Sequence, residues 1–89
     1  QSVEGRVEVG DAVLECGKSP AWLYAAPHAK TWVAGYVGPP APVRLAVPDG
    51  SVELTSMGTG TVAWENGRVT IDALGVEGQP QVQGGELVE

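Results

Sequence analysis

The sequence predicts an all-β domain, folded as a two-sheet antiparallel β-sandwich of the jelly-roll or immunoglobulin-like kind. Turn-forming residues recur at intervals of about eight to twelve residues, a spacing typical of sandwiches and barrels. Several segments between the turns alternate apolar and polar side chains, as strands with one dry and one wet face do. The composition agrees, because 13 glycines, 7 prolines and no phenylalanine favour short strands over long helices.

The length of the chain predicts one domain spanning residues 1–89. Eighty-nine residues supply roughly enough apolar surface for a single core, and a 43% apolar content is ordinary for a folded domain. The glycine-containing end over 84–89 allows a mobile tail. Because the first residue is Gln1 rather than Met, we expect a processed product or a piece of a longer protein.

The first half of the chain contains four predicted strands. Gly10-Asp11 supplies a two-residue hairpin turn between the first two. Residues 38–42 include three prolines, which have no backbone N–H to donate inside a sheet, so we expect this segment to cross between the two sheets. The predicted strands are 6–9, 12–16, 21–25 and 31–37.

The second half of the chain contains the clearest hairpin. Asn66-Gly67 stands between two alternating segments, and both residues tolerate the positive φ that a tight hairpin turn requires. Pro48-Asp49-Gly50 is a second turn signal. The predicted strands are 43–47, 51–55, 61–65, 68–72 and 81–83, which brings the total to about eight or nine.

The charge balance excludes two classes of partner. Eleven acidic residues against five basic ones leave a net charge of −6, which repels the phosphates of nucleic acids and of anionic membranes. No apolar run approaches the roughly 20 residues that a membrane-spanning helix needs. We therefore expect neither a nucleic-acid nor a membrane partner.

The chemistry-bearing residues do not form a recognisable catalytic or metal-binding motif. Cys16 is the only cysteine, which rules out an internal disulfide and a Cys-x-x-Cys site, and we interpret it as a small buried apolar residue. His28 is the only histidine, and we interpret it as an exposed turn residue. Most carboxylates fall on the polar phase of strands or in turns, where solvated charges belong. The sequence predicts no catalytic residue, no metal site and no cofactor.

The aromatic residues are the strongest candidates for a binding site. Trp22 and Tyr24 share one strand face by their i, i+2 spacing, and Trp32 and Tyr36 share one by i, i+4. A pair that faces water would form a flat ring platform on which sugar rings stack, whereas a pair that faces inward would belong to the core. We expect at least two of the three tryptophans in the core. The candidate ligand-binding residues are Trp22, Tyr24, Trp32 and Tyr36.

The second half of the chain also shows an ordered series of turns and strands. An alternating strand leads through a Pro-Asp-Gly turn to a strand that ends in Met-Gly, and an Asn-Gly hairpin and a closing strand near a proline follow. These pieces are Val43–Val47, Pro48–Gly50, Val52–Gly58, Trp64–Ile71 and Gly78–Val82. The series, from Pro42 to Gly85, resembles the C-terminal β-sandwich accessory domain that follows the catalytic barrel in several glycoside hydrolase families. Ser56 and Gln81 depart from the pattern, where an acid and an aromatic residue are frequent. The resemblance implies a domain that packs against a barrel and contributes no catalytic residue.

Two function classes follow from these observations. The first is a non-catalytic β-sandwich module, of accessory or carbohydrate-binding type, whose partners are a catalytic domain of a carbohydrate-active enzyme and a polysaccharide. The alternative is a structural assembly protein, such as a phage capsid decoration protein or a subunit of an extracellular fibre or shell, that binds identical subunits through edge strands and termini. A small enzyme with an active site shared between subunits has the least support. The first two classes favour an extracellular or virion-associated location over a cytoplasmic one.

Overall fold

The computed structural model describes residues 2–3, 5–17 and 20–88. Over these residues the chain forms eleven strands and a single-turn 3-10 helix at Pro27–Ala29. The strands are β1 (Ser2–Val3), β2 (Arg6–Val9), β3 (Ala12–Glu15), β4 (Ala21–Ala26), β5 (Thr31–Tyr36), β6 (Ala41–Val47), β7 (Gly50–Met57), β8 (Gly60–Glu65), β9 (Arg68–Ala73), β10 (Gln81–Gln83) and β11 (Glu86–Leu87).

The strands are arranged in two sheets. Sheet A has the order β1-β2-β3-β6-β7-β10, and sheet B has the order β11-β9-β8-β5-β4. Every pairing is antiparallel except that of β11 with β9, which is parallel. The extents of 32 × 31 × 16 Å suit two stacked layers, since packed sheets lie about 10 Å apart. The predicted all-β, two-sheet antiparallel sandwich is confirmed, with β1 and β11 as additional short strands.

Three two-residue turns set the register of the hairpins. Gly10-Asp11, Pro48-Asp49 and Asn66-Gly67 connect adjacent strands, and all three lie where the sequence predicts a turn. Asn66 and Gly67 have φ of 51° and 83°, the two positive values that a type I′ turn requires. Gly50 belongs to β7 rather than to its predicted turn, because it pairs directly with Val47.

The proline-rich segment crosses from sheet B to sheet A, as predicted. Residues 37–40 leave β5 in one sheet and enter β6 in the other, and the hydroxyl of Tyr36 donates a 2.7 Å hydrogen bond to the carbonyl of Pro39. The prediction that 38–42 lies outside the sheets is wrong at its end, because Ala41 and Pro42 belong to β6. The pairing register shifts between Ala41 and Val43, and such an irregularity accommodates a residue that cannot donate to the ladder.

The core lies between the sheets and takes one face of each. A row of apolar side chains crosses sheet A from Val7 through Leu14 and Leu45 to Val52, and each pair in the row is directly opposite in register. Sheet B contributes the large rings. Trp32 and Trp64 stand opposite each other on β5 and β8 and are 4% and 0% exposed, which confirms that at least two tryptophans belong to the core.

The C-terminal segment is paired with sheet B. The backbone N–H of Glu86 donates to the carbonyl of Gly67, and that of Val88 donates to the carbonyl of Val69, both at 2.8 Å. A Cβ on Gly85 would lie 3.0 Å from the Trp64 ring, so a side chain at this position would press on the core. Residues 86–88 are therefore held by hydrogen bonds where the sequence allowed a mobile tail, and residue 89 lies outside the described residues.

Candidate functional site

The structure divides the four candidate aromatic residues into two groups. Trp22 and Tyr24 project from the outer surface of sheet B and are 47% and 57% exposed. Trp32 and Tyr36 are 4% and 2% exposed, so their assignment to a surface platform is corrected, and both rings belong to the core. The reason is the phase of β5, which turns these two side chains inward and leaves Gly35 among its outward positions.

The outward positions of β4, β5, β8 and β9 form one continuous surface, which we call the aromatic face. It consists of three rows that cross the four strands in register. The rows are Trp22–Gly35–Thr61–Asp72, Tyr24–Val33–Ala63–Thr70 and Ala26–Thr31–Glu65–Arg68.

The indole of Trp22 lies flat on this face. A Cβ added to Gly35 would overlap three neighbouring ring atoms of Trp22, Cε2, Nε1 and Cζ2, at nearly equal distances from each. The direction in which a side chain would leave Gly35 therefore points into the face of the indole ring. One face of the indole therefore covers the glycine backbone. With nearly half of the side chain exposed, the opposite face is open to solvent. A larger residue at position 35 would occupy the space that the Trp22 ring fills.

The remainder of the aromatic face changes in character from β4 to β9. Small or short side chains, including those of Val33, Thr61 and Ala63, stand on the two central strands and are partly exposed. Exposed polar groups, including those of Thr70 and Asp72, stand on β9. Aromatic rings thus border a low central strip on one side, and hydrogen-bonding groups border it on the other.

The outer surface of sheet A, which we call the charged face, has a different construction. Arg6, Glu15, Arg44 and Glu53 occupy one row across β2, β3, β6 and β7. The guanidinium nitrogens approach the carboxylate oxygens at 3.3 Å for Arg6–Glu15, 3.7 Å for Arg44–Glu15 and 3.2 Å for Arg44–Glu53. Arg6 also donates a 2.7 Å hydrogen bond to Glu8, and this bond is the main reason that the pKa of the Arg6 guanidinium is raised above its ordinary value.

The single cysteine and the single histidine lie on different parts of the fold, Cys16 directly after β3 and His28 in the 3-10 helix. Cys16 is partly buried against the core, where the sequence predicted a buried residue, and this burial raises the pKa of its thiol and so disfavours the nucleophilic thiolate. His28 is exposed in the 3-10 turn. Over residues 5–17 and 20–88, no three histidine, cysteine or carboxylate side chains are grouped closely enough to hold a metal ion. In the same part of the chain, no helix has the length and apolar content to cross a membrane.

Two shallow cavities of about 260 Å³ each lie away from the aromatic face. One lies beside the charged row, between Cys16, Pro42 and Arg44. The other opens at the end of the sandwich between the turns at Asp11 and Pro48, with Trp32 in its lining. The lining of each cavity contains at least one carboxylate and no histidine.

Comparison with known proteins found no matching family model, no similar curated protein and no similar solved structure.

Proposed function

We propose that this chain is a non-catalytic carbohydrate-binding module and that its binding surface is the aromatic face. The observation that carries the proposal is the Trp22 indole, which lies flat on Gly35 with its second face open to water. The C–H groups on one side of a pyranose ring form an apolar patch that matches such a surface. A ring already held in the binding orientation loses little conformational freedom when a sugar stacks on it.

The surroundings of Trp22 support the same function. Sugars are amphipathic, so their sites combine an apolar surface with a few placed polar groups. The aromatic face offers both, because the row that begins at Trp22 ends at the hydroxyl of Thr61 and the carboxylate of Asp72. The proposal that the module serves a carbohydrate-active enzyme is supported by the turn series between Pro42 and Gly85, of which Pro48-Asp49 and Asn66-Gly67 form turns in the structure.

The test is titration of the purified chain with a panel of neutral polysaccharides in solution, by calorimetry and by tryptophan fluorescence. Trp22 is the exposed one of the three tryptophans, so we expect stacking to change the long-wavelength part of the emission. We expect Trp22→Ala to weaken binding by tenfold or more, about 1.4 kcal/mol, and Trp22→Tyr to retain part of the affinity.

The matched control is Arg44→Ala, which removes a large side chain from the opposite face and should leave affinity unchanged. Circular dichroism and thermal unfolding would verify that each variant is folded. A chain that binds no polysaccharide of the panel, or a Trp22→Ala variant that binds as tightly as the parent, would contradict the proposal.

A structural assembly protein is the second candidate, and the position of β4 favours it. This strand forms one edge of sheet B, and it carries the exposed Trp22 and Tyr24. Edge strands and exposed aromatic rings are both common at subunit interfaces. Light scattering coupled to size-exclusion chromatography separates the candidates, because a defined oligomer that Trp22→Ala dissociates would support assembly, whereas a monomer at all concentrations would argue against it.

A further inference from the structure

The geometry points to a more specific ligand, and this inference rests on the proposed function. We infer that the aromatic face binds a single uncharged pyranose chain that runs across the strands, from Trp22 toward Asp72. In this arrangement Trp22 stacks on one sugar, and Thr61 and Asp72 hydrogen-bond to hydroxyl groups of the sugar that follows it.

The first step is the position of the stacking site. Trp22 belongs to β4, but its indole covers Gly35, so a stacked sugar would lie above β5. Neighbouring strands are about 4.8 Å apart, which places Thr61 about one strand spacing from the ring and Asp72 about two. One strand spacing is comparable to the width of a sugar ring. The row therefore has the dimensions for two consecutive sugars.

The second step is the chemistry of the two polar groups. The Thr61 hydroxyl both donates and accepts a hydrogen bond, so it can meet a hydroxyl of the following sugar, which lies beside the ring and closer to the sheet. The Asp72 carboxylate has two acceptor oxygens and can accept from two neighbouring hydroxyls of that sugar, and such charge-assisted bonds are among the stronger ones. Asp72 is exposed and thus accessible to a ligand.

A polysaccharide that ran along the strands would find fewer hydrogen-bonding partners. A chain that ran from Trp22 to Tyr24 would pass over the row that continues with Val33 and Ala63, two side chains without a hydrogen-bonding atom. Its hydroxyls would lose water without gaining partners over the central strands, which is costly. The row of Trp22 has a hydroxyl on β8, at Thr61, whereas the row of Tyr24 reaches its first hydroxyl beyond the ring only at Thr70 on β9. Tyr24 stands beside the row of Trp22, about 7 Å from Trp22 along β4.

The third step is charge. The aromatic face carries carboxylates at Asp72 and Glu65 and a guanidinium at Arg68. Arg68 stands opposite Glu65, so Asp72 is the charge in the row of Trp22, and the chain as a whole carries a net charge of −6. A uronate or sulfated polysaccharide would be repelled both at a distance and at Asp72, where two like charges would meet. The hydroxyls of a neutral chain meet no such repulsion. The ligand class is therefore a neutral polysaccharide.

The experiment compares neutral and anionic forms of the same backbones: hydroxyethyl cellulose with carboxymethyl cellulose, and soluble β-1,3-glucan with its carboxymethylated form. For a backbone that binds, we expect the neutral form to bind tenfold or more tightly than the anionic one. We expect Thr61→Val and Asp72→Asn each to weaken neutral binding roughly five- to tenfold, the effect of losing one or two hydrogen bonds. Asp72→Asn should also narrow the difference between the two forms.

Glu53→Gln on the charged face is the matched control and should change neither affinity nor preference. The inference is overturned if Trp22→Ala weakens binding while Thr61→Val and Asp72→Asn bind like the parent, or if the carboxymethylated form binds as tightly as the neutral one. In those outcomes the proposed function stands. If neither form of any backbone binds, or if binding does not depend on Trp22, the proposed function itself fails.

Discussion

The outer faces of the two sheets are built on the same kind of antiparallel strands but carry different side chains. On the charged face, Arg6, Glu15, Arg44 and Glu53 alternate in sign across four strands, so each charge has an opposite neighbour and the surface is compatible with water. The aromatic face instead exposes a ring over Gly35 and a strip of small side chains. Exposed charges of alternating sign thus explain how the charged face is solvated, whereas the aromatic face leaves a ring in a fixed orientation that solvation does not explain, and this is the feature on which the proposed function rests.

The largest expected effect is that of Gly35→Ala, which tests whether the orientation of the ring matters. The added Cβ would occupy the place of the Trp22 indole, and the exposed ring must move away. We expect affinity for neutral polysaccharide to fall by tenfold or more, as in Trp22→Ala, because the stacking surface is no longer preorganised. Calorimetric titration measures this change.

The double variant Trp22→Ala/Gly35→Ala provides the control for that prediction. If both single changes act through the same ring, the double variant should bind no more weakly than either one. Additive losses would show that Gly35 acts independently of Trp22 and would contradict the role given to the covering geometry.

Arg44→Glu tests the charged face and should affect stability without affecting binding. The change removes two ion pairs and puts a third negative charge between Glu15 and Glu53. We expect the free energy of unfolding to fall by about 1–2 kcal/mol, because like charges directly opposite in a sheet repel. High salt should recover part of the loss. Thermal denaturation at two salt concentrations measures it, and an equal loss at both would argue against an electrostatic cause.

Alkaline pH should produce a smaller loss of stability through Cys16, which borders a cavity beside the charged row. Burial raises the pKa of its thiol above the ordinary value of 9.0, so the unfolded chain releases this proton at a lower pH than the folded chain does. The contribution to stability is complete below about pH 9 and declines as pH rises through the folded pKa. Denaturant unfolding between pH 8 and 10 should show a shallower decline for Cys16→Ala than for the parent; parallel curves would contradict the prediction.

Salt should have the smallest effect, on polysaccharide binding at the aromatic face. Stacking and hydrogen bonds to a neutral chain involve no pairing of ligand charges, so raising NaCl to about 0.5 M should change affinity less than twofold. Titration at low and high salt measures this. A strong salt dependence would mean that the ligand is charged, and the charged face would then become a candidate for the binding surface.

Much of the fold was predictable from local signals. Asn66-Gly67 and Gly10-Asp11 identify hairpins because their preferred φ values close a two-residue turn, and the alternation on either side then fixes which side chains face inward. The short strands β1 and β11 were not predictable, because two residues carry no periodicity. The pairing of β11 with β9 depends on where distant segments meet, which alternation does not specify.

The candidate site was half predictable for a similar reason. The i, i+2 spacing of Trp22 and Tyr24 places them on one face, and the i, i+4 spacing of Trp32 and Tyr36 does the same, but neither spacing says which face is buried. The partners Gly35, Thr61 and Asp72 come from other strands and needed the register of sheet B. A glycine inside a strand was the available signal, since such a position often marks a close approach by another group.

The route of the chain between the sheets has a consequence for the kinetics of folding. After β3 in sheet A the chain enters sheet B for β4 and β5, returns to sheet A for β6 and β7, and then goes back to sheet B for β8 and β9. The β3–β6 pairing must therefore close a loop that contains a whole hairpin of the other layer. Proteins dominated by such non-local pairings fold in milliseconds to seconds, so we expect both layers to form in one slow, cooperative step. The aromatic face would then be acquired together with the core and not before it.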